Sequence, residues 1–220
     1  MNVITRSMKT HVYIDGFNLY YGAIKGTKLH WLDLLKLSRS LFPEFQIERV
    51  WYFTAMVSGR KDDLNKPLRQ QAYINALRTF PEVIVQLGQY VTHKKILPLV
   101  EPLNALRPRA EFAQVLRTDE KGSDVNLAVR LLHEAHQNMF DVGIVISNDS
   151  DLVEPIRIVR KELHKTIGVV NPHKYPSKEL VANADFVRQI REGLLEKCLL
   201  PLSCTNASGK TYHCPDKWRA

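Results

Sequence analysis

Two aspartates one residue apart, Asp149 and Asp151, close the apolar run in DVGIVISNDSDLVEPI (Asp141 to Ile156). Carboxylates at such a place have two uses. They can cap the helix that follows, and Asp151 with Glu154 has the spacing of a capping pair. They can also hold a hard cation. Two more aspartates stand in matching places: Asp15 ends the β-branched and aromatic run HVYIDGF, and Asp124 opens the helical stretch SDVNLAVRLLHEAH. Each has a plain structural use as well, Asp15-Gly16 as a turn and Asp124 as a cap or dipole partner. Taken together, four acids at strand mouths and helix starts are harder to explain that way. Gathered over one spot, they would raise one another's pKa unless a cation intervened. Hard oxygen donors suit Mg²⁺ or Mn²⁺, which keep some water ligands and take phosphate at open positions. The chemistry open to such a cluster is that of a bound divalent ion meeting a phosphate.

The elements that must position these acids follow from periodicity. Strands are expected at His11 to Phe17, Ile47 to Val57, Glu82 to Val91, VGIVIS and KTIGVVN, with a last one in ADFVRQI. Helices are expected in NLYYGAIK, in WLDLLKLSRSLF, from Asp62 through LRQQAYINALR with Pro67 in the first turn, from Ser123, from Leu152 to Leu163 and from Lys178 to Asn183. Strands alternating with helices imply right-handed crossovers, hence a three-layer α/β sandwich with a mostly parallel sheet. Sites in such sheets form at the carboxyl edge, where strand order reverses. If the strands ending in Asp15 and Asp149 flank that point, they lie about 5 Å apart. Asp151 and Asp124 then face the same edge from their helix starts.

The chain has 220 residues and a formal net charge of +8, which makes a polyanionic partner plausible without bearing on fold. Residues 1–196 read as one domain, interrupted at 92–122 by an irregular basic excursion with room for a small hairpin. Residues 197–220 read as a tail whose Trp218 packs back on the body. Cys198, Cys204 and Cys214 are few and late, which fits a reducing cytoplasm, and their spacing with His213 does not support zinc. No secretory signal and no run of about 18 apolar residues is seen, so no membrane span is expected.

The blocks VYIDGFNLYYG, KGSDVNLAVRLL and VISNDSDLVEPI resemble, in order and spacing, the signature blocks of the NYN domain, a PIN-like family of metal-dependent ribonucleases. The resemblance covers about Lys9 to Gly193. It implies that Asp15, Asp124, Asp149 and Asp151 are the metal-binding acids, that Asn18 is the asparagine following the first of them, and that Ser147 is the small hydroxyl residue before the acidic step. It also implies RNA rather than DNA as substrate. Two positions depart from the pattern: Asn148 stands where glycine is usual, and Leu152 where phenylalanine is frequent. Asparagine tolerates a left-handed backbone, so the turn is expected to survive.

The expected activity is therefore Mg²⁺- or Mn²⁺-dependent hydrolysis of single-stranded or structured RNA, endonucleolytic in mode. Asp15, Asn18, Asp124, Asp149 and Asp151 form the catalytic set, with Asn18 bonding a metal water or the scissile phosphate, or else capping the helix after Phe17. Ser147, Lys121, Lys94, Lys95, Arg109 and Arg117 are assigned to the substrate, the basic ones to backbone phosphates along the rim, with Arg60, Lys61 and Arg69 as further candidates. Tyr20, Tyr21 and Phe17 are candidates for stacking on a splayed base, with core packing the stronger expectation for Phe17. A haloacid dehalogenase-type phosphatase would need an acid where Phe17 stands. A dinucleotide site would need more glycines than Gly16 and Gly22 after the first strand. The main alternative is a non-catalytic RNA-binding module that keeps the fold. A homo-oligomer is compatible with either reading.

Overall fold

The computed structural model describes residues 8–59, 63–103 and 110–219. Its centre is a buried strand, β1 (Lys9–Asp15), in which every residue after Lys9 is enclosed. Beta-branched and aromatic residues over this length form a strand when both faces are covered. The sheet adds β2 (Gln46–Ala55), β3 (Val83–Leu103), β4 (Ala110–Lys121), β5 (Val142–Ile146), β6 (Thr166–Asn171) and β7 (Phe186–Gln189) in the order β4-β3-β2-β1-β5-β6-β7. All neighbours are parallel except β3 and β4. The chain thus builds outward from β1 to β4, then returns to the other side of β1 with β5. Strand order reverses between β1 and β5, where Ile14 pairs with Ile146.

Helices cover both faces. On one side lie α1 (Gly16–Leu19), continued by a π-helical turn at Tyr20–Ile24, then α2 (Leu34–Leu41) and α3 (Lys66–Leu77) with Pro67 in its first turn. Val12, Ile14, Leu34, Leu37, Ala76 and Leu77 meet in that core. On the other side lie α4 (Ser123–His136), α5 (Val153–Lys161) and α6 (Lys178–Asn183), where Tyr13, Phe53, Leu127, Leu131, Ile156 and Leu180 meet. The result is the three-layer α/β sandwich that the periodicity predicts.

The stretch at 92–122 departs from expectation. Instead of an irregular excursion it forms a long antiparallel arm, in which β3 and β4 pair from Gln89↔Lys121 to Pro98↔Phe112. Beyond Gly88, the last β3 residue paired with β2, the arm leaves the sheet at its carboxyl edge. Its ten-residue run Gln89–Pro98 reaches ~30 Å at about 3.3 Å per residue. Solvent touches both faces, so the arm lacks the alternation that marks a half-buried strand, and its prolines argue against one.

Residues after α7 (Glu192–Glu196) return to the body. Leu199 bridges to Leu32, Cys198, Leu200, Cys204 and Cys214 enter the α2-side core, and β8 (Ser203–Thr205) pairs with β9 (Thr211–His213). All three cysteines are free and buried. The Trp218 ring stacks on His30, with centroids 5.2 Å apart.

Candidate active site

Asp15 ends β1 directly at the reversal point and is 1% exposed. Its Oδ1 accepts hydrogen bonds from the Phe17 and Asn18 amides at 3.0 and 2.9 Å, so it caps α1. Its Oδ2 accepts from Asn18 Nδ2 at 2.6 Å and from Ser147 Oγ at 2.9 Å. These four donors fill the acceptor directions of a carboxylate. Burial raises the pKa of Asp15; its hydrogen bonds to Asn18 and Ser147 oppose that, and the Asp149 charge adds to it.

Asn18 is a junction. While its amide nitrogen donates to Asp15, its Oδ1 accepts from the Asn148 amide at 3.3 Å and lies 3.1 Å from His173 Nε2. It thereby ties the ends of β1, β5 and β6 together. Of the two uses weighed from sequence, helix capping falls to Asp15, whose side chain caps α1.

At the end of β5, Ser147 Oγ accepts from the Asp149 amide at 3.1 Å while donating to Asp15. Asp149 Oδ1 in turn accepts from the Asp151 amide at 3.0 Å and caps the 3-10 turn Ser150–Leu152. The capping residue is thus Asp149, not Asp151. Asp151 is exposed, and Glu154, its expected partner in a capping pair, binds Arg157 instead. Asn148 corrects another expectation. Among the described residues only Asn138 and His164 have positive φ without being glycine, so Asn148 is not left-handed. Its side chain accounts for it: Oδ1 accepts from the Ser177 amide at 2.6 Å and Nδ2 donates to Tyr175 O at 3.1 Å, pinning the β6–α6 loop over the site.

Asp124 lies in the first turn of α4, which starts behind Gly122 at φ 96, a backbone only glycine adopts freely. Its carboxyl is pushed up to about 6, first by burial and then by the charges of Asp15, Asp149, Glu120 and Asp151. The four predicted acids therefore share one electrostatic neighbourhood. The fifth, Glu120, was missed by sequence reasoning. It sits on β4 opposite Tyr90, and its Oε1 accepts from the Ser123 amide at 3.1 Å. A Cβ at Gly88 would come within 2.5 Å of that oxygen, so glycine makes room for the acid. The available signal was the acid four residues before Asp124 in EKGSD, set aside as part of the excursion.

Helix α4 is fixed to the sheet by Glu134. Its buried Oε2 takes Tyr13 Oη at 2.7 Å and Trp51 Nε1 at 3.2 Å, and lies 2.8 Å from His11 Nδ1. Burial alone would raise the Glu134 pKa, but these hydrogen bonds and the imidazole hold it below the usual range. Burial, followed by the Glu134 charge, drives the Tyr13 hydroxyl well above its ordinary pKa.

The basic residues assigned to substrate are spread along the arm. Lys121 is the last residue of β4, next to the acids, and exposed; Lys94 and Lys95 project from β3. Arg117 is engaged, donating to Asp119 at 2.7 Å, and Asp119 is also approached by Lys95 and His93 at 3.9 and 3.6 Å. Arg69 pairs with Asp63. Arg109, Arg60 and Lys61 lie outside the described residues. Among the described residues, no group of three or more histidine, cysteine, aspartate or glutamate side chains is placed so that it could hold a metal ion. Asp185, at the start of β7, takes no part; it binds Arg160 and the Ile167 amide at the opposite edge of the sheet.

A profile of the NYN domain matches residues 9–191, which takes in every one of these acids. The chain belongs to the NYN domain family. NYN domains are PIN-like and nuclease-like, and such nucleases typically use divalent metals. Among curated proteins the chain is 30% identical to a 6-hydroxy-3-succinoylpyridine 3-monooxygenase of Pseudomonas putida (strain DSM 28022 / S16), over 88% of this chain and 70% of that one. Among solved structures it is similar to a Vibrio parahaemolyticus protein of unknown function, with a TM-score of 0.54 and 17% identity over 89% of this chain and 98% of that one. This second likeness concerns the fold alone. Among the described residues no helix is long and apolar enough to cross a membrane.

Proposed function

We propose that this NYN protein is a metal-dependent ribonuclease that hydrolyses phosphodiester bonds within RNA. The observation that supports this most is the Asp124 carboxyl, raised to about 6 by burial and by four surrounding acids. Such crowding at a strand edge is relieved when a cation is shared. The donors are all carboxylate oxygens, the set Mg²⁺ and Mn²⁺ prefer, but their present spacing forms no ready metal site among the described residues, so they would have to draw together on an ion. Asp124, Asp149 and Asp151 would hold it. Asp15 has all its acceptor directions occupied and supplies charge from beneath, becoming a ligand only if Asn18 Nδ2 or Ser147 Oγ releases it. A bound divalent ion provides a Lewis acid and a water of lowered pKa.

The rest is the work of the chain itself. Asn18 and Ser147 hold Asp15 and the β5 loop in register, and Asp149 orders the turn that presents Asp151. Lys121 and Lys94 offer positive charge to phosphates approaching an otherwise acidic rim. No side-chain nucleophile is called for.

The name of the Pseudomonas relative supports a second reading, oxidation of a hydroxypyridine. One set of assays separates the readings. Labelled single-stranded and hairpin RNAs are incubated with Mg²⁺ or Mn²⁺ and with chelator, and oxygen uptake is followed with 6-hydroxy-3-succinoylpyridine and a supplied reductant. Metal-dependent cutting that disappears in Asp149→Asn upholds the ribonuclease. Cutting that persists in that variant belongs to a contaminant and overturns it. Binding without cutting across metals favours the non-catalytic RNA-binding module, and substrate-dependent oxygen uptake favours the oxygenase.

A further inference from the structure

A second feature begins at the same strand end and leads away from the acids. Tyr20 lies five residues beyond Asp15 on the helix that Asp15 caps, ~7.5 Å along its axis. From there four rings touch in series. Tyr21 meets Tyr20 edge-on at 5.2 Å, Tyr20 meets His30 at 5.9 Å, and His30 stacks on Trp218 at 5.2 Å with an interplanar angle of 12°. Cations accompany them. Lys25 Nζ lies 5.0 Å from the Tyr21 ring centre and Lys66 Nζ lies 6.0 Å from that of Tyr20. Among the described residues neither lysine has an acidic partner within 4.0 Å. Arg69 and Lys217 share the single acid Asp63, leaving that end positive too.

Packing explains the inner part of this ladder, since Tyr20 and Trp218 lie partly buried against the α2-side core. It does not explain Tyr21. That ring is 58% exposed, yet it is held from one side by Tyr20 and from another by Lys25. A solvent-facing ring beside lysines that lack an acidic partner is the arrangement on which single-stranded nucleic acids stack. The acids alone would repel a polyanion; a basic, aromatic surface starting ~7.5 Å along that helix offsets the repulsion.

We propose that the ladder from Tyr21 to Trp218 is a docking surface for single-stranded nucleic acid leaving the acidic rim. One base stacks on Tyr21, and backbone phosphates meet Lys25 and Lys66. This extends the ribonuclease reading and rests on it for which end of the strand is cut. The surface recognises a base face and a phosphate, chemistry that RNA and DNA share.

The test uses the full chain in chelator, with short fluorescein-labelled RNA and DNA strands of one sequence and the corresponding duplex, followed by anisotropy over a range of salt. Tyr21→Ala weakens both single strands by about fivefold or more and leaves the salt slope unchanged. Lys66→Gln lowers the magnitude of that slope by ~0.7, the share of one phosphate contact. Neither variant changes duplex binding, and both melt with the wild type. The proposal is overturned if Tyr21→Ala binds single strands as the wild type does, or if either variant loses duplex affinity equally. If the wild type cuts RNA while Tyr21→Ala binds normally, the ribonuclease stands and this surface falls. If binding drops as expected but no metal supports cutting, the surface stands and the ribonuclease falls.

Discussion

Ser147 Oγ donates to Asp15 Oδ2 at 2.9 Å, joining carboxyl edges of the two strands between which the sheet reverses. The same oxygen accepts the Asp149 amide at 3.1 Å, so one hydroxyl sets the spacing of two of the acids. Replacing it removes a buried donor and an acceptor together. Ser147→Ala is expected to lower stability by about 1–2 kcal/mol and to reduce metal-dependent cutting tenfold or more through kcat, with KM for RNA little changed. Urea unfolding and steady-state kinetics measure the two effects. Equal losses in kcat and in RNA affinity would contradict the positioning role.

The Asn18 clamp predicts a sharper outcome. Asn18 Nδ2 lies 2.6 Å from Asp15 Oδ2, so Asn18→Asp places a second carboxylate against a buried first one. Like charges at that distance cannot both stay ionised. At neutral pH the variant should lose about 2 kcal/mol or more, and the deficit should shrink on acidification as the pair takes up a proton. Unfolding of both proteins at about pH 7 and pH 5 decides it. A deficit independent of pH would mean that the lost amide, not the added charge, matters.

These clamps mark the boundary of what the sequence discloses. The alternation of strands and helices was legible because each buried strand is a short apolar run ended by turn residues. Asp15, Asp149 and Asp124 were legible because their places, at strand ends for the first two and at a helix start for the third, follow from that alternation. Asn148 was misread, since a backbone explanation was at hand while its partners, the Ser177 amide and Tyr175 O, lie about thirty residues away. Glu120 was missed for a related reason. It reaches the site only because β3 and β4 form an arm, and a ribbon wet on both faces leaves no hydrophobic period to read.

Asp124 makes stability depend on pH. Its pKa in the folded protein is raised from 3.8 to about 6, so the folded state binds more protons in between. The associated stability is fully present below 3.8 and is lost as pH rises through about 6. Asp124→Asn removes that loss. In chelator at about pH 8 the variant should be more stable by about 1 kcal/mol, a figure discounted because the group is partly exposed. This would appear as a Tm gain of about 2–4 °C, vanishing near pH 4. Added Mg²⁺ should then stabilise the wild type more than the variant. Melting curves across this range test the sign, and a variant less stable at pH 8 would refute the crowding of charge.

Glu134 permits a test of how far the site depends on its scaffold. Three donors converge on its Oε2, Tyr13 at 2.7 Å, His11 at 2.8 Å and Trp51 at 3.2 Å, and its helix carries Asp124 at the far end. Glu134→Ala leaves those buried groups without an acceptor and should cost about 3 kcal/mol. Glu134→Gln keeps an acceptor and removes the charge, so it should cost less and let the Tyr13 pKa fall towards the ordinary tyrosine value. Ten residues of helix separate Glu134 from Asp124, ~15 Å along the axis, so the acids themselves are untouched. At temperatures where the variants stay folded, cutting should therefore survive within about tenfold, since an anchor acts through position rather than chemistry. Complete loss of cutting in folded Glu134→Gln, at unchanged Tm, would place Glu134 in the chemistry instead of beneath it.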